Sequence, residues 1–382
     1  VCSMIKKIAH ALTRKPKLVA LIAVLLLIPS ALGYIGTRVN YDILSYLPED
    51  LDSVQGERLL EEPFHMAATS MLIVEGMPAA YTNDLINEIK EVPGVSSAIW
   101  LSNAVGIQIP TDFIPAALRD MFFAGDSTMM IIQYEKSGAA EETMQAIDDV
   151  RSLCNEKCFL AGFSVVIKDT KDLVDQELPI YVGLAVLLSL VAMSLTMESM
   201  VLPFVLLLSI GMAIVYNFGT NIFLGEISYI TQAIAAVLQL GVTMDYSIFL
   251  YHRYREERLL HEDPRDAMAE AIVAAFTSLS GSSLTTIAGL TAMTFMKFRL
   301  GFDMGVTLIK SIVCSLLSVF LLMPALLMCC GKLMDKTKHK DFGPKINFAG
   351  KFAYATRFII PPLFVLLVVG AYFTFGSCNY AY

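Results

Sequence analysis

Predominantly apolar stretches of the chain lie at 18–37, 179–197, 200–221, 227–251, 272–296 and 302–330. A seventh, 358–376, follows a charged gap. A bilayer core of ~30 Å is crossed by a helix of ~20 residues, so the pattern predicts six spans and then the first span of a second set. The first stretch has a basic front (Lys6, Lys7, Arg14, Lys15, Lys17) and ends in SALG, as a cleaved signal peptide would. Its apolar run is longer than the ~7–15 residues of a signal core, and the chain after it is itself polytopic, which favours a retained span.

Between the first two spans the period changes. SMLIVEG (70–76), SAIWLS (97–102), TMMIIQY (128–134) and CFLAGF (158–163) read as strands. AYTNDLINEIKE (80–91) and AAEETMQAIDDVRSLC (139–154) read as helices between them. The order is βαβ followed by βαβ, the split ferredoxin-like pattern. The expected fold class is therefore a polytopic α-helical membrane bundle with an α+β ferredoxin-like extracytoplasmic domain. Its parts are an N-terminus and first span (1–37), an outer domain (38–178), spans two to six (179–330), a linker (331–357), and a seventh span opening a second repeat (358–382).

Composition and charge support that division. Of the residues 55% are apolar and 17% charged, with mean hydropathy +0.61. Soluble globular chains lie nearer 45–50% and ~25%. Sixteen of the 28 Lys and Arg lie in 1–17, 252–270 and 331–357. By the positive-inside rule these segments and the N-terminus are cytoplasmic, making this a multi-pass protein of the cell membrane. The outer domain carries 24 of the 36 acidic residues. A net charge of −8 argues against a nucleic-acid partner.

Catalytic chemistry is not evident. The outer domain has one histidine, His65, and no phosphate-binding glycine loop. His252 and His261 lack metal-ligand company, so neither metal nor cofactor is expected. Of seven cysteines only Cys154 and Cys158 are a local pair, as two free thiols or, outside the cell, a possible disulfide. An enzyme is the least expected class.

The polar residues inside the spans are more telling. Asp245 lies in the inner half of the fourth span, ~9 Å from its arginine-rich end at ~1.5 Å per residue. A carboxylate at bilayer depth costs ~2.5–3.5 kcal/mol. Burial raises its pKa towards values at which it exchanges protons near neutrality, so an intramembrane acid points to function. The structural alternatives are a hydrogen bond to a neighbouring span, or a position at the wetted inner rim. Gly241, one turn earlier on the same face, leaves room for a helix or water, and Tyr246 is rotated ~100° away. The fifth span carries TSLSGSSLTTIAGLT. Its small hydroxyl residues suit close packing, and Ser282, Thr285 and Thr286 are candidates to line a hydrated path. Lys310, in the sixth span, could pair with a bundle acid, pair with Asp303, or snorkel. Glu226 and Asp303 sit near outer span ends, where solvation is expected. HRYREERLLHEDPRDAM (252–268) reads as a surface-anchored amphipathic segment.

An internal repeat appears at the span exits. GTRVNYDILSYLPED follows the first span and GSCNYAY (376–382) the seventh, each behind a basic segment. Repeats mark architectures assembled from copies, and the expectation is a second half beyond this one.

This order of elements resembles the resistance-nodulation-division superfamily. GVTMDYSIFLYHRYREE is similar to the fourth-span pattern of its MMPL-type transporters, with Gly241, Asp245, Tyr246, Arg253, Tyr254, Arg255 and Glu256 at the matching places. LLMPALL (321–327) is also similar to the family's pattern. The resemblance covers nearly the whole chain. It implies proton-driven export of lipids or hydrophobic compounds, with the proton as coupling ion and Asp245 and Tyr246 as relay. It further implies a matching pair in a tenth span, supplied by a second repeat half or another chain. Two other readings are a protein-export accessory subunit of the same superfamily and a non-transporting lipid-binding or sterol-sensing-like module.

Overall fold

The computed structural model describes residues 2–61, 68–101, 116–339 and 347–375. His65 and the GSCNYAY segment lie outside the described residues. The chain starts with an amphipathic helix, α1 (Cys2–Arg14), which Pro16 separates from the apolar α2 (Pro16–Gly36). Proline suits the first turn of a helix because its missing N–H has no partner there. A short strand β1 (Arg38–Asn40) and helix α3 (Asp52–Glu61) follow.

The sheet region then runs β2 (Ala68–Glu75), α4 (Ala79–Lys90), β3 (Val95–Ile99), α5 (Ala116–Phe122), β4 (Phe123–Ala124), β5 (Ser127–Tyr134), α6 (Glu141–Leu153) and β6 (Cys158–Ala161). Its strand order is β3-β5-β2-β6, antiparallel throughout, with β4 appended to β5. In β5 every second side chain, Thr128, Met130, Ile132 and Tyr134, is buried. These residues form one core with Leu72 and Val74 of β2 and with Ile86, Ile89, Ile147 and Val150 of the helices. The alternation is the two-residue period of a strand with one covered face.

Among the described residues, six helices are long and apolar enough to cross a membrane: α2; α7 (Phe163–Thr196); α8 (Leu202–Gly219), continued by a 3-10 turn to Leu224; α9 (Tyr229–Leu260); α10 (Pro264–Met293); and the joined pair α11 (Arg299–Leu317) and α12 (Met323–Lys336). Five residues of π-helix, Ser318–Leu322, join that pair just before Pro324. Proline lacks the N–H an α-turn needs, and the widened turn absorbs the defect.

The helix of the second span begins well before residue 179. α7 runs unbroken from the sheet, through Pro179, to Thr196. It starts at Gly162, whose φ of 126° and 3.0 Å approach to Ser70 Cα admit only glycine. The segment 252–268 is not a separate surface helix. α9 continues to Leu260, and α10 starts at Pro264, capped by the Asp263 carboxylate. The charged residues extend the two spans, so a turn of three residues suffices between them. After helix α13 (Asn347–Ala355), the seventh apolar stretch forms α14 (Ile360–Phe375). Its 16 residues reach ~24 Å, and none is buried.

α8 is the centre of the bundle and contacts α2, α7, α9, α11 and α12. α2 lies directly against it. A Cβ on Gly33 would come within 2.2 Å of the Gly219 carbonyl oxygen, and one on Gly219 within 2.2 Å of that of Ser30. Small residues permit such backbone contact between membrane helices.

The sheet region and the bundle meet at the N-terminal end of α9. β1 pairs in parallel with β7 (Glu226–Ser228), which leads into α9, and Ser228 Oγ caps that helix by accepting from the Ile230 N–H. Tyr41, just after β1, stacks on Tyr229 at 5.5 Å and donates to Asp175 of α7 at 2.9 Å. Burial, then the Asp175 hydrogen bond, push the Tyr41 hydroxyl well above its ordinary pKa. Tyr41 also packs with Met144 of α6, and this cluster ties the helix that carries Asp245 to the sheet region.

Candidate functional site in the fourth span

Asp245 is not buried in this chain. With Gly241 and Phe249 it forms an exposed stripe at i, i+4 and i+8 on α9. Among the described residues it has no hydrogen-bond or ion-pair partner. No atom of another element lies within 4 Å of a Cβ built on Gly241. The expected burial by neighbouring spans is corrected: the turn that buries Thr243, Tyr246 and Ser247 against α8, α10 and α11 points Asp245 away from them.

Tyr246 faces inward and is only 8% exposed. Its hydroxyl lies 2.9 Å from Ser283 Oγ on α10, and Ser283 Oγ lies 2.7 Å from the Leu279 carbonyl. Serine has one hydroxyl proton. Ser283 is the donor to the Tyr246 hydroxyl, and its one proton has two acceptors within reach, that hydroxyl and the Leu279 carbonyl.

Ser282, Thr285 and Thr286 are exposed on α10, beside the exposed Gly281 and Gly289. Thr285 and Thr286 donate to the Ser282 carbonyl of their own helix, at 2.7 and 3.2 Å. None of the three is bonded to Asp245 or Tyr246. Ser283 does what was expected of its neighbours. The buried positions of α10, Ile272, Ala275, Leu279 and Ser283, recur at three and four residues and mark it out.

Lys310 is remote from this site. Its Nζ donates to the Asn217 carbonyl at 2.9 Å and to Asn221 Oδ1, at the C-terminal end of α8 and in the 3-10 turn that follows. Among the described residues it makes no salt bridge, with Asp245, Asp303 or any other acid. Asp303 in turn is not solvated: it is 9% exposed and accepts from the Ser228 N–H at 2.9 Å and from Thr231 Oγ1 at 2.6 Å, tying α11 to the start of α9. Sequence spacing places both charges on α11 but leaves open which neighbour turns its polar atoms towards them. Around Lys310 lies a buried polar seam. Asn217 donates to Gln239 at 3.0 Å, and Thr243 and Ser315 are 2.6 Å apart. Asn217 Oδ1, Asn221 Nδ2, Gln239 Nε2, Ser247 Oγ and Thr307 Oγ1 have no protein partner. Buried polar groups of this kind are places for internal water.

Towards the C-terminal end of α9, Arg253 pairs with Glu256 at 2.6 Å, and Arg255 with Glu198 in the turn between α7 and α8. Cys154 and Cys158 are free thiols in the structure rather than a disulfide, and burial, with Cys158 beside it, pushes the Cys154 thiol up to about 12. Among the described residues no group of His, Cys, Asp and Glu gathers to hold a metal.

Six long apolar helices and an attached sheet region define a multi-pass membrane protein with a carboxylate on an intramembrane helix face. The MMPL family model matches residues 79–349, more than half of the chain, and the chain belongs to that family. It is 22% identical over 367 residues to a putative membrane protein of Methanocaldococcus jannaschii, covering 85% of this chain and 93% of that one. It is 27% identical over 306 residues to the apo-petrobactin exporter of Bacillus anthracis, covering 72% of this chain and 41% of the exporter. It is 26% identical over 149 residues to the probable transport protein MmpL6 of Mycobacterium tuberculosis, covering 35% of this chain and 38% of that protein. Among solved structures, SecDF in its super-membrane-facing form aligns at a TM-score of 0.43 and 14% identity, over 85% of this chain and 39% of SecDF. The chain thus spans most of the archaeal relative and well under half of the exporter.

Proposed function

We propose that this chain works in proton-driven export of lipids or other hydrophobic compounds, with Asp245 and Tyr246 as the intramembrane relay. The observation that carries the reading is the exposure of Asp245 on a helix of a membrane bundle. An unpartnered carboxylate facing hydrocarbon costs ~2.5–3.5 kcal/mol even on the insertion scale. That cost is removed if a second repeat half, or another chain, covers the Gly241–Asp245–Phe249 stripe and encloses the acid in a small hydrated site. The family's named transport proteins support the same class of activity.

In this reading Asp245 takes a proton from one side of the membrane and releases it to the other. Tyr246, which accepts from Ser283, passes hydrogen-bond changes from the site to α10. α9 is a rigid lever of ~24 Å from Asp245 to Tyr229, where Tyr41 and β1 transmit displacement to the sheet region. The strand order β3-β5-β2-β6 supports reading that region as a ferredoxin-like porter domain handling substrate outside the cytoplasmic membrane, with the N-terminus inside. A charge moved through 100 mV yields ~2.3 kcal/mol, enough to bias two states a few kcal/mol apart.

The test uses cells expressing the protein with whatever half or copy completes it. Efflux of a fluorescent acylated lipid is followed with and without an uncoupler. Wild-type efflux that stops with the uncoupler, and is lost in both Asp245→Asn and Tyr246→Phe at normal membrane levels, supports the proposal. Efflux that is indifferent to the uncoupler excludes it.

A further inference from the structure

Away from Asp245, α1 rests across the bundle against α10. α1 itself packs on α10 and α12, while Ile5, Ile8, Ala9 and Leu12 recur at three and four residues and look across to α10, the end of α11 and the π-turn. The contact is incomplete. Between α1 and these helices lies a cavity of about 350 Å³, lined by those four residues with Ile272, Phe276, Val313, Leu317, Phe320 and their apolar neighbours, Ser280 alone being polar. Ala9 (1% exposed) and Phe320 (8%) form its floor. Ile8 (48%), Val313 (42%) and Leu317 (53%) stand at its open rim. The volume falls in the range of ligand pockets, ~300–1,000 Å³.

The cavity runs along the bundle rather than across it. α1 is pinned at the start of α10 by Lys6–Glu270 and by His10–Asp266 at 3.6 Å. Ser280, at the cavity's far end, is ten residues beyond Glu270, or ~15 Å deeper. An apolar slot this deep, opening beside a surface helix, has the form of a methylene chain. The charges at its mouth are equally specific. Lys6 and His10 are engaged, whereas Lys7, Arg14, Lys15 and Lys17 are exposed at the junction of α1 with the first span and have no ion-pair partner among the described residues. Basic side chains at this level attract anionic headgroups, and the slot gives one acyl chain, already in hydrocarbon, a place of matching shape.

We propose that the cavity under α1 is a binding site for an anionic phospholipid of the leaflet on the N-terminal side, with one acyl chain in the slot and its headgroup on Lys7, Arg14, Lys15 and Lys17. The lipid is a resident ligand that fastens α1 to α10 and α11, and the site is independent of the export reading above.

The purified protein, with Trp100 as a constant background measured in the unsubstituted chain, receives one further tryptophan at Leu12 inside the cavity. A separate protein receives it at Leu184, on the lipid-facing side of α7. Both are reconstituted into phosphatidylcholine vesicles with rising fractions of phosphatidylglycerol brominated in its chains, and then with the brominated label on phosphatidylcholine instead. The expected result is half-maximal quenching of Leu12→Trp at a several-fold lower fraction of brominated phosphatidylglycerol than of Leu184→Trp, with no such gap for phosphatidylcholine. Lys7→Gln with Arg14→Gln closes the gap. Phe276→Trp serves as the cavity reporter if Leu12→Trp does not fold. Superimposable curves for the two positions would overturn the proposal, as would a cavity reporter that neither lipid quenches, which would mean a protein segment fills the slot.

Discussion

Replacing Gly241 with leucine separates packing within the chain from the proposed docking on its exposed face. A Cβ at Gly241 meets nothing within 4 Å, so the substitution introduces no clash inside the chain. Removing a glycine from a helix interior returns up to ~1 kcal/mol of backbone entropy. The isolated chain in detergent should therefore unfold at the same temperature or slightly higher. Gly219→Ala provides the contrast: its methyl group would stand 2.2 Å from the Ser30 carbonyl oxygen, a backbone atom that cannot swing away. Forcing α2 and α8 apart there should cost on the order of 1–3 kcal/mol or more. Transport should respond differently. If a second half packs on Gly241, the leucine overpacks that contact by about 1–3 kcal/mol, lowering assembly or transport roughly 5- to 150-fold at ~1.4 kcal/mol per decade. Thermal unfolding in detergent and proton-coupled efflux in cells measure the two effects. A Gly241→Leu protein that unfolds early would refute the open face. One that is stable and transports normally would refute its docking role.

Other expectations follow from single contacts. Asp303→Ala strands the Ser228 N–H and the Thr231 hydroxyl in a buried place, at about 1–3 kcal/mol each; Asp303→Asn, which keeps one acceptor, should lose less in the same detergent unfolding assay, and equal stability of all three proteins would contradict the assignment. Lys310→Met removes the donor on the Asn217 carbonyl, so amide hydrogen exchange should rise at the C-terminal end of α8 while the fold persists; unchanged exchange would show the contact to be inert. Because burial raises the Cys154 thiol from 9.0 to about 12, its thiolate fraction at pH 8 is about one in ten thousand. Iodoacetamide should label Cys154 far more slowly than an ordinary thiol. This thiol leaves stability untouched below about pH 9, and stability falls as pH rises from there towards 12, as the unfolded chain loses its proton first. Rapid labelling of Cys154 at pH 8 would show it is not so protected.

Much of the architecture is written in periodicity. The strands of the sheet region lie within about two residues of their alternating apolar runs, because one covered face enforces a two-residue period. Span number is equally plain, since apolar length is a strong signal. Span ends are not. α9 and α10 extend through charged residues because salt bridges such as Arg253–Glu256 favour a helix outside the bilayer as well as apolar side chains do within it. The residue types at the site were visible, but their orientation was not. Composition cannot say that Asp245 turns outward while Tyr246 turns in, or that Ser283 rather than Ser282 meets it. The close approach at Gly33 and Gly219 was equally hidden, because two glycines in different spans carry no pairing signal of their own.

Proton flux through the assembled protein tests the role of Asp245 most directly. Proteoliposomes loaded with a pH-sensitive dye receive the wild-type protein, Asp245→Asn or Asp245→Glu, together with the half or copy that completes it, and an imposed pH gradient drives exchange. The relay reading predicts dye acidification by the wild type, partial flux with Asp245→Glu, and the protein-free baseline with Asp245→Asn at equal incorporation. Wild-type flux in the Asp245→Asn protein would contradict it.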